Sequence, residues 1–160
     1  MTLDASRSVD PVPTGDGQAL ERFAHQLPGV IYQFQLLPDG RSCFPFASDA
    51  MREIYEVAPQ DVREDARLVF SRLHPDDVDA VRASILASAS TLQDWRFDYR
   101  VILPVQGERW RRGQARPERC ADGSTVWYGF ITDITDLKRI ETSLLQREAA
   151  IAASLTAIVM

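Results

Sequence analysis

From Val30 to Leu37 the chain alternates in the way of a strand, with Val30, Tyr32, Phe34 and Leu36 on one side and Ile31, Gln33, Gln35 and Leu37 on the other. Pro38-Asp39-Gly40 supplies turn chemistry, so a hairpin return is expected over Arg41 to Ala47. Pro45 cannot donate to a ladder and marks that return as an edge strand. The period then lengthens. Ser48 or Asp49 can cap a helix carrying Met51, Ile54 and Tyr55, and after Pro59 a second helical piece is expected through Val62, Leu68, Val69 and Phe70. His74-Pro75-Asp76-Asp77 reads as a turn with acidic residues at the next helix start, and Val78, Val81, Ile85 and Leu86 form that helix's buried stripe. Three long strands are expected next, Trp95 to Leu103, Arg109 to Glu118 and Ser124 to Thr132, with Trp95, Phe97, Tyr99, Val101 and Leu103 sharing one face. Two strands, several helices and a three-strand meander predict an α+β domain: a five-stranded antiparallel sheet with helices on one face.

The chain turns on the stretch Val126 to Ile140, where a period of two gives way to one near three and a half. Val126, Tyr128, Phe130 and Ile134 fall on one face and Trp127, Gly129 and Ile131 on the other, so a strand runs directly into a helix that Thr135 or Asp136 can cap. Leu137, Leu144, Ile151 and Ile158 then recur every seven residues, with Ile140 filling the companion position once before Arg147 and Ser154 take it. The helix is expected over 136–157 and is too long to stay packed on a small domain, so its far half needs a partner. Apolar groups on both faces of the last strand imply that the outer sheet face is covered too, by flanking helices or by a second subunit in a homodimer.

At the N-terminus, residues 1–17 are rich in Pro, Gly, Ser and Asp and read as a disordered tail or linker. Over 18–28 the spacing of Leu20, Phe23, Ala24 and Leu27 predicts an amphipathic flanking helix stopped by Pro28-Gly29.

Composition changes the picture mainly by exclusion. The net charge is −5, and the first eighty residues hold 7 arginines against 14 acidic residues. No concentrated basic face exists, so nucleic acid is not the expected partner. No apolar run is long enough to span a bilayer and no signal peptide opens the chain, so a cytoplasmic segment without direct membrane contact is expected. Cys43 and Cys120 form neither a disulfide framework nor a Cys-x-x-Cys pair. The two imidazoles, His25 and His74, have no second ligand at metal spacing, which argues against metal and haem. Asp76 and Asp77 are adjacent and do not face each other as an acid–base pair would. The arginines at 109, 111 and 119 alternate with those at 112 and 116, which reads as a solvated strand face with one arginine available to Asp133. Tyr32, Phe34, Phe44, Phe46, Phe97, Tyr99, Tyr128 and Phe130 are candidates for a core or a ligand pocket, core packing being the commoner role of such residues.

Taken in order, Leu73-His74-Pro75-Asp76-Asp77, Tyr99-Arg100-Val101, Trp110-Arg111-Arg112-Gly113 and Gly129-Phe130-Ile131-Thr132-Asp133-Ile134-Thr135, continuing as Leu137-Lys138-Arg139-Ile140-Glu141, resemble a bacterial sensory PAS domain with its C-terminal PAC segment. The likeness covers roughly residues 20–141 and places the core at 29–135. It implies that Asp133, Ile134 and Thr135 relay a signal from the sheet to the helix, and that aromatic core residues can line a ligand cavity. The seam residues Leu137, Ile140, Leu144, Ile151 and Ile158 are then those of a signalling helix. No cofactor is predicted: Asp49 to Pro59 lacks the cysteine of a flavin adduct. Residues 21–32 and 149–160 echo each other, so a second repeat is expected to begin at 158–160, within a multidomain signalling protein. The expected effector is a histidine kinase, with a diguanylate cyclase or phosphodiesterase as alternative. A small α+β ligand-binding enzyme is the reading from a different class, and no activated nucleophile supports it.

Overall fold

A computed structural model describes residues 28–158. The tail at 1–17, the flanking helix at 18–28 except its last residue, and residues 159–160 of the expected second repeat lie outside the described residues. Five antiparallel strands form one sheet in the order β2-β1-β5-β4-β3. They are β1 (Gly29–Leu36), β2 (Ser42–Ala47), β3 (Trp95–Leu103), β4 (Gly107–Arg119) and β5 (Thr125–Asp133). Between β2 and β3 run α1 (Met51–Ile54), a 3₁₀ turn at Pro59–Asp61, α2 (Arg67–Ser71) and α3 (Val78–Thr91). After β5 comes α4 (Thr135–Ile158).

Both sheet edges are occupied. Beside β2, the Phe44 N–H donates to the Val62 carbonyl at 2.9 Å and the Ala66 N–H to the Ser42 carbonyl at 2.9 Å. Pro45 sits where the β1–β2 register shifts, between the Gln33–Phe46 and Gln35–Cys43 pairs, so its missing donor breaks no ladder bond. Beside β3, Leu73 bridges Val101 and the Ile102 N–H donates to the Arg72 carbonyl. The helical connection therefore covers part of each edge, at Ser42–Phe44 of β2 and at Arg100–Ile102 of β3.

The core lies between the sheet and α1–α3, and strand parity decides who enters it. Tyr32 and Phe34 from β1, Phe44 from β2, Tyr99 and Val101 from β3 and Trp127 and Ile131 from β5 are buried. Complete burial of one such side chain stabilises by roughly 1.5–3 kcal/mol. On β5 the inward face is therefore that of Trp127 and Ile131, and Tyr128 is half exposed on the outside. The expected stripe of α3 needs one correction: Val81 is buried, but Leu86 is exposed. The sheet takes polar groups from α3 instead. Trp95 Nε1 donates to Ser84 Oγ at 2.8 Å and Trp127 Nε1 to Ser88 Oγ at 2.9 Å. A buried indole N–H without an acceptor would be costly, and Ser84 and Ser88 share with Val81 and Ile85 the face that meets the sheet, whereas Leu86 falls about 100° around the helix from Ile85. Gly113 has a similar steric reason: a Cβ at that position would collide with the Trp95 ring.

Candidate functional site

Two features stand out, a cavity inside the core and a polar joint between β5 and α4. The cavity has a volume of about 40 Å³ and is walled by Phe, Val, Leu, Ile and Trp together with three phenols, Tyr32, Tyr55 and Tyr99. The hydroxyls of Tyr55 and Tyr99 are hydrogen-bonded to each other. Burial pushes all three phenols up, Tyr55 to about 12, so each is protonated at neutral pH.

Only Tyr32, Phe34, Phe44 and Tyr99 of the eight sequence candidates line this cavity. Phe97 is half-buried against the core without reaching it, while Phe46 and Tyr128 are exposed and Phe130 points to the outer face with Tyr128. Parity explains the difference. Phe46 pairs with Gln33, which pairs in turn with Tyr128, so Phe46 and Tyr128 belong to one outward row. Trp127, Tyr55 and Phe70 take their places in the wall.

At the joint, Asp133 ends β5 opposite Arg111 of β4. Asp133 Oδ1 accepts the Thr135 N–H at 2.8 Å, and Oδ2 lies 2.9 Å from Arg111 Nη1. Thr135 Oγ1 accepts the Trp110 N–H at 3.0 Å, and the Ile134 N–H donates to the Trp110 carbonyl at 3.1 Å. The helix start is thus capped by Asp133, whereas the Thr135 hydroxyl is used on the sheet and Asp136 faces Arg139 at 3.6 Å. This corrects the expected capping by Thr135 or Asp136.

Arg111 also departs from the expected solvated arginine face. Its side chain is 0% exposed, Nε donates to the Ile54 carbonyl at 3.0 Å, and Nη1 donates to the Trp110 carbonyl at 3.1 Å. One guanidinium therefore ties the end of α1, the β4 backbone and the joint together. Gly113 and Ala115 share its strand parity and face the core, which is the sequence signal that Arg111 is inward. Outside, Lys138 lies 5.0 Å from the centre of the Trp110 ring and 3.5 Å from Asp98, which also holds Arg112 through two bonds. These contacts hold the first turns of α4 on β4. Farther along, a groove lined by Trp110, Lys138, Thr142 and Gln146 opens between helix and sheet.

The other polar motifs have structural employment. His74 Nδ1 accepts the Asp76 N–H at 3.1 Å within its turn. Asp77 makes no side-chain cap to α3; it accepts the Arg100 N–H at 2.8 Å and the Arg100 guanidinium at 2.7 and 3.0 Å.

Three of these carboxylates set a pH dependence. The Arg100 hydrogen bond lowers Asp77, and the Arg112 hydrogen bond lowers Asp98. For Asp133, burial pushes upward but is outweighed by the Thr135 hydrogen bonds and the Arg111 charge, and the net direction is down. Each folded pKa thus lies below its unfolded value near ~3.9, so the stabilisation is complete above about pH 4 and is lost as pH falls through the lowered values. Urea midpoints measured across a pH series are expected to be level from about pH 7 to 5 and to fall steeply below about pH 4.

Comparison with known proteins places this geometry. The family described as PAS fold matches residues 44–131. Among solved structures, a sensory box histidine kinase/response regulator from Burkholderia thailandensis E264 superposes with a TM-score of 0.59 at 20% identity, over 86% of this chain and 98% of that one. The N-terminal domain of a diguanylate cyclase with PAS/PAC sensor from Marinobacter aquaeolei gives 0.53 at 19% identity, over 66% and 95%. The uncharacterized protein y4lL of Sinorhizobium fredii (strain NBRC 101917 / NGR234) is 27% identical over 117 residues, and the match spans 68% of this chain but 14% of that protein's length.

Proposed function

Because the chain belongs to the PAS family, we propose that it is the sensory and dimerisation module of a multidomain bacterial signalling protein, relaying a change in its core to α4 through Asp133, Ile134 and Thr135. The observation that carries this reading is the joint itself. Thr135 and Ile134 are bonded to Trp110 of β4, and Asp133 is bonded both to Thr135 and to Arg111, whose Nε reaches α1. A shift of α1 or of β4 therefore carries the helix start with it. The cavity wall includes Tyr55, the residue after Ile54, so a change in the cavity has a short mechanical route to the joint.

The reading assigns no catalytic step to these residues. A histidine kinase is the proposed effector and a diguanylate cyclase the second choice, supported by the two kinds of protein whose sensory domains share this fold. The proposed division is a core at 29–135, a linker helix at 136–157 and a further PAS repeat beyond, in a cytoplasmic portion of the protein. Among the described residues no helix is long and apolar enough to cross a membrane.

Any signal shifts the equilibrium between two states only by its differential affinity for them, so the joint must distinguish the two. Thr135→Val removes the acceptor of the Trp110 N–H while keeping the shape of the side chain. It is expected to change effector output in the full-length protein several-fold and to lower hydrogen-exchange protection in the first turn of α4, leaving β1 and β5 protected. Unchanged output in this variant and in Asp133→Asn would sink the relay reading.

A further inference from the structure

The sheet's hold on α4 ends at Lys138. Thr135 is buried and Lys138 half-buried, and every described residue of the helix after Lys138 is exposed. Among the described residues Lys138 is also the one charged side chain of α4 that reaches the sheet. The ring beneath it is held in place: Trp110 carries Arg100 at 5.7 Å as well as Lys138 at 5.0 Å, and Arg100 is bonded to both oxygens of Asp77. The ammonium is held less firmly. It lies 3.5 Å from Asp98 Oδ2 on β3 and 3.4 Å from Glu141 Oε2 on its own helix, and it closes on neither, since a direct bond of this kind measures about 2.7–2.9 Å. Release from Asp98 strands no charge. Asp98 keeps two bonds from Arg112, at 2.8 and 3.0 Å, and Lys138 keeps Glu141. Space for movement exists as well, because the groove between α4 and β4 holds about 320 Å³.

Resting on the relay reading, we infer that Lys138 is the positioning residue that sets the direction in which α4 leaves the sheet, through competition between Asp98 and Glu141 for its ammonium. Asp98 draws the helix onto the sheet. Glu141 draws the ammonium back along the helix and its charge repels Asp98, which favours a helix swung away. The two positions lie close in free energy, because a half-exposed ion pair and a cation over a ring each change an equilibrium by about two- to fivefold. The hydrogen bonds of Asp133, Ile134 and Thr135 keep the helix start on the sheet in both positions. A small displacement of β3 or β4 therefore suffices to change which carboxylate wins.

Lys138 is the only lysine among the 160 residues, so the chain grown with isotope-labelled lysine gives a single lysine side-chain signal by NMR. The ring current of Trp110 places the ε-protons upfield of their position in the urea-unfolded chain while the helix is held. Asp98→Asn is expected to move the signal towards the unfolded position and Glu141→Gln to move it farther upfield, each changing the ratio of the two helix positions by about two- to fivefold. In the full-length protein the same two substitutions are expected to shift effector output in opposite directions. Lys138→Met is expected to alter output, and Lys138→Arg, which keeps a cation over the ring, to preserve it. A wild-type signal at the unfolded position, or one displaced in the same direction by both carboxylate substitutions, or by neither, overturns the positioning role. Opposite displacements with unaltered output also overturn it where Thr135→Val changes output. Where Thr135→Val leaves output unaltered too, it is the relay reading that fails.

Discussion

Asp133→Asn is expected to destabilise the domain by about 3 kcal/mol, and Arg111→Met added to it is expected to restore a large part of that loss. The reason is the position of the guanidinium. The Arg111 side chain is 0% exposed, and its only anionic partner among the described residues is Asp133, at 2.9 Å. Carbonyls of Ile54 and Trp110 take two further bonds, but Nη2 has none. Removing the carboxylate strands a cation in the core, a change that costs roughly 3–5 kcal/mol for a fully enclosed pair. Asp133 is itself 36% exposed, so water reaches that side and the low end of the range applies. Removing both members eliminates the stranded charge, and methionine fills the space of the arginine stem. Denaturant midpoints of wild type, Asp133→Asn and the double variant measure the effect. Equal losses in the single and double variants would show that burial of the charge is not what makes the pair matter. Most domains have 5–15 kcal/mol in hand, so the single variant should still fold and allow its effector output to be measured.

Strand parity made the sheet legible and left its faces ambiguous. All five strands follow from alternation and turn residues, because a pleated strand places side chains on two sides with a period of two. On β5, however, both sides are apolar: Trp127 and Ile131 against Tyr128 and Phe130. Hydrophobicity alone cannot choose between them, and the larger aromatic count of the outer row favoured the wrong side for the cavity. The glycine in the Trp-Arg-Arg-Gly run carried the missing information, since Gly113 is small because Trp95 lies over it, and its parity sends Arg111 inward as well. Charge argued the other way, because an arginine is ordinarily a surface residue unless it is paired. The pairing was visible only as a possibility, as Arg111 and Asp133 are brought opposite by register and not by sequence spacing. The same limit applies to α3, where Ser84 and Ser88 look like surface positions until the two indoles above them are known.

Leu144→Asp is expected to raise the dimer dissociation constant at least 100-fold, as read from sedimentation equilibrium across a concentration series. The argument begins with what a single copy leaves uncovered. α4 holds 24 residues and spans roughly 36 Å. Thr135 is its one buried residue, while Leu137, Ile140, Leu144, Ile151 and Ile158 are all exposed. An isolated helix of this length is marginal in water, and an apolar row exposed along it is stabilised by pairing with the same row of a second copy. Phe46 and Tyr128, half-exposed on the outer sheet face, offer such a copy further apolar surface. The companion positions are mixed, Ile140 and then Arg147 and Ser154, so pairing rests on the sevenfold series and Leu144 lies near its middle. Aspartate there places two carboxylates against each other across the two-fold axis while removing two leucines from the seam. Ala149→Asp, exposed on a different side of the helix, supplies the control for added charge alone. If Leu144→Asp and Ala149→Asp leave association equally unchanged, α4 does not form the dimer seam, and the relay would have to act on a helix that packs against another domain of its own chain.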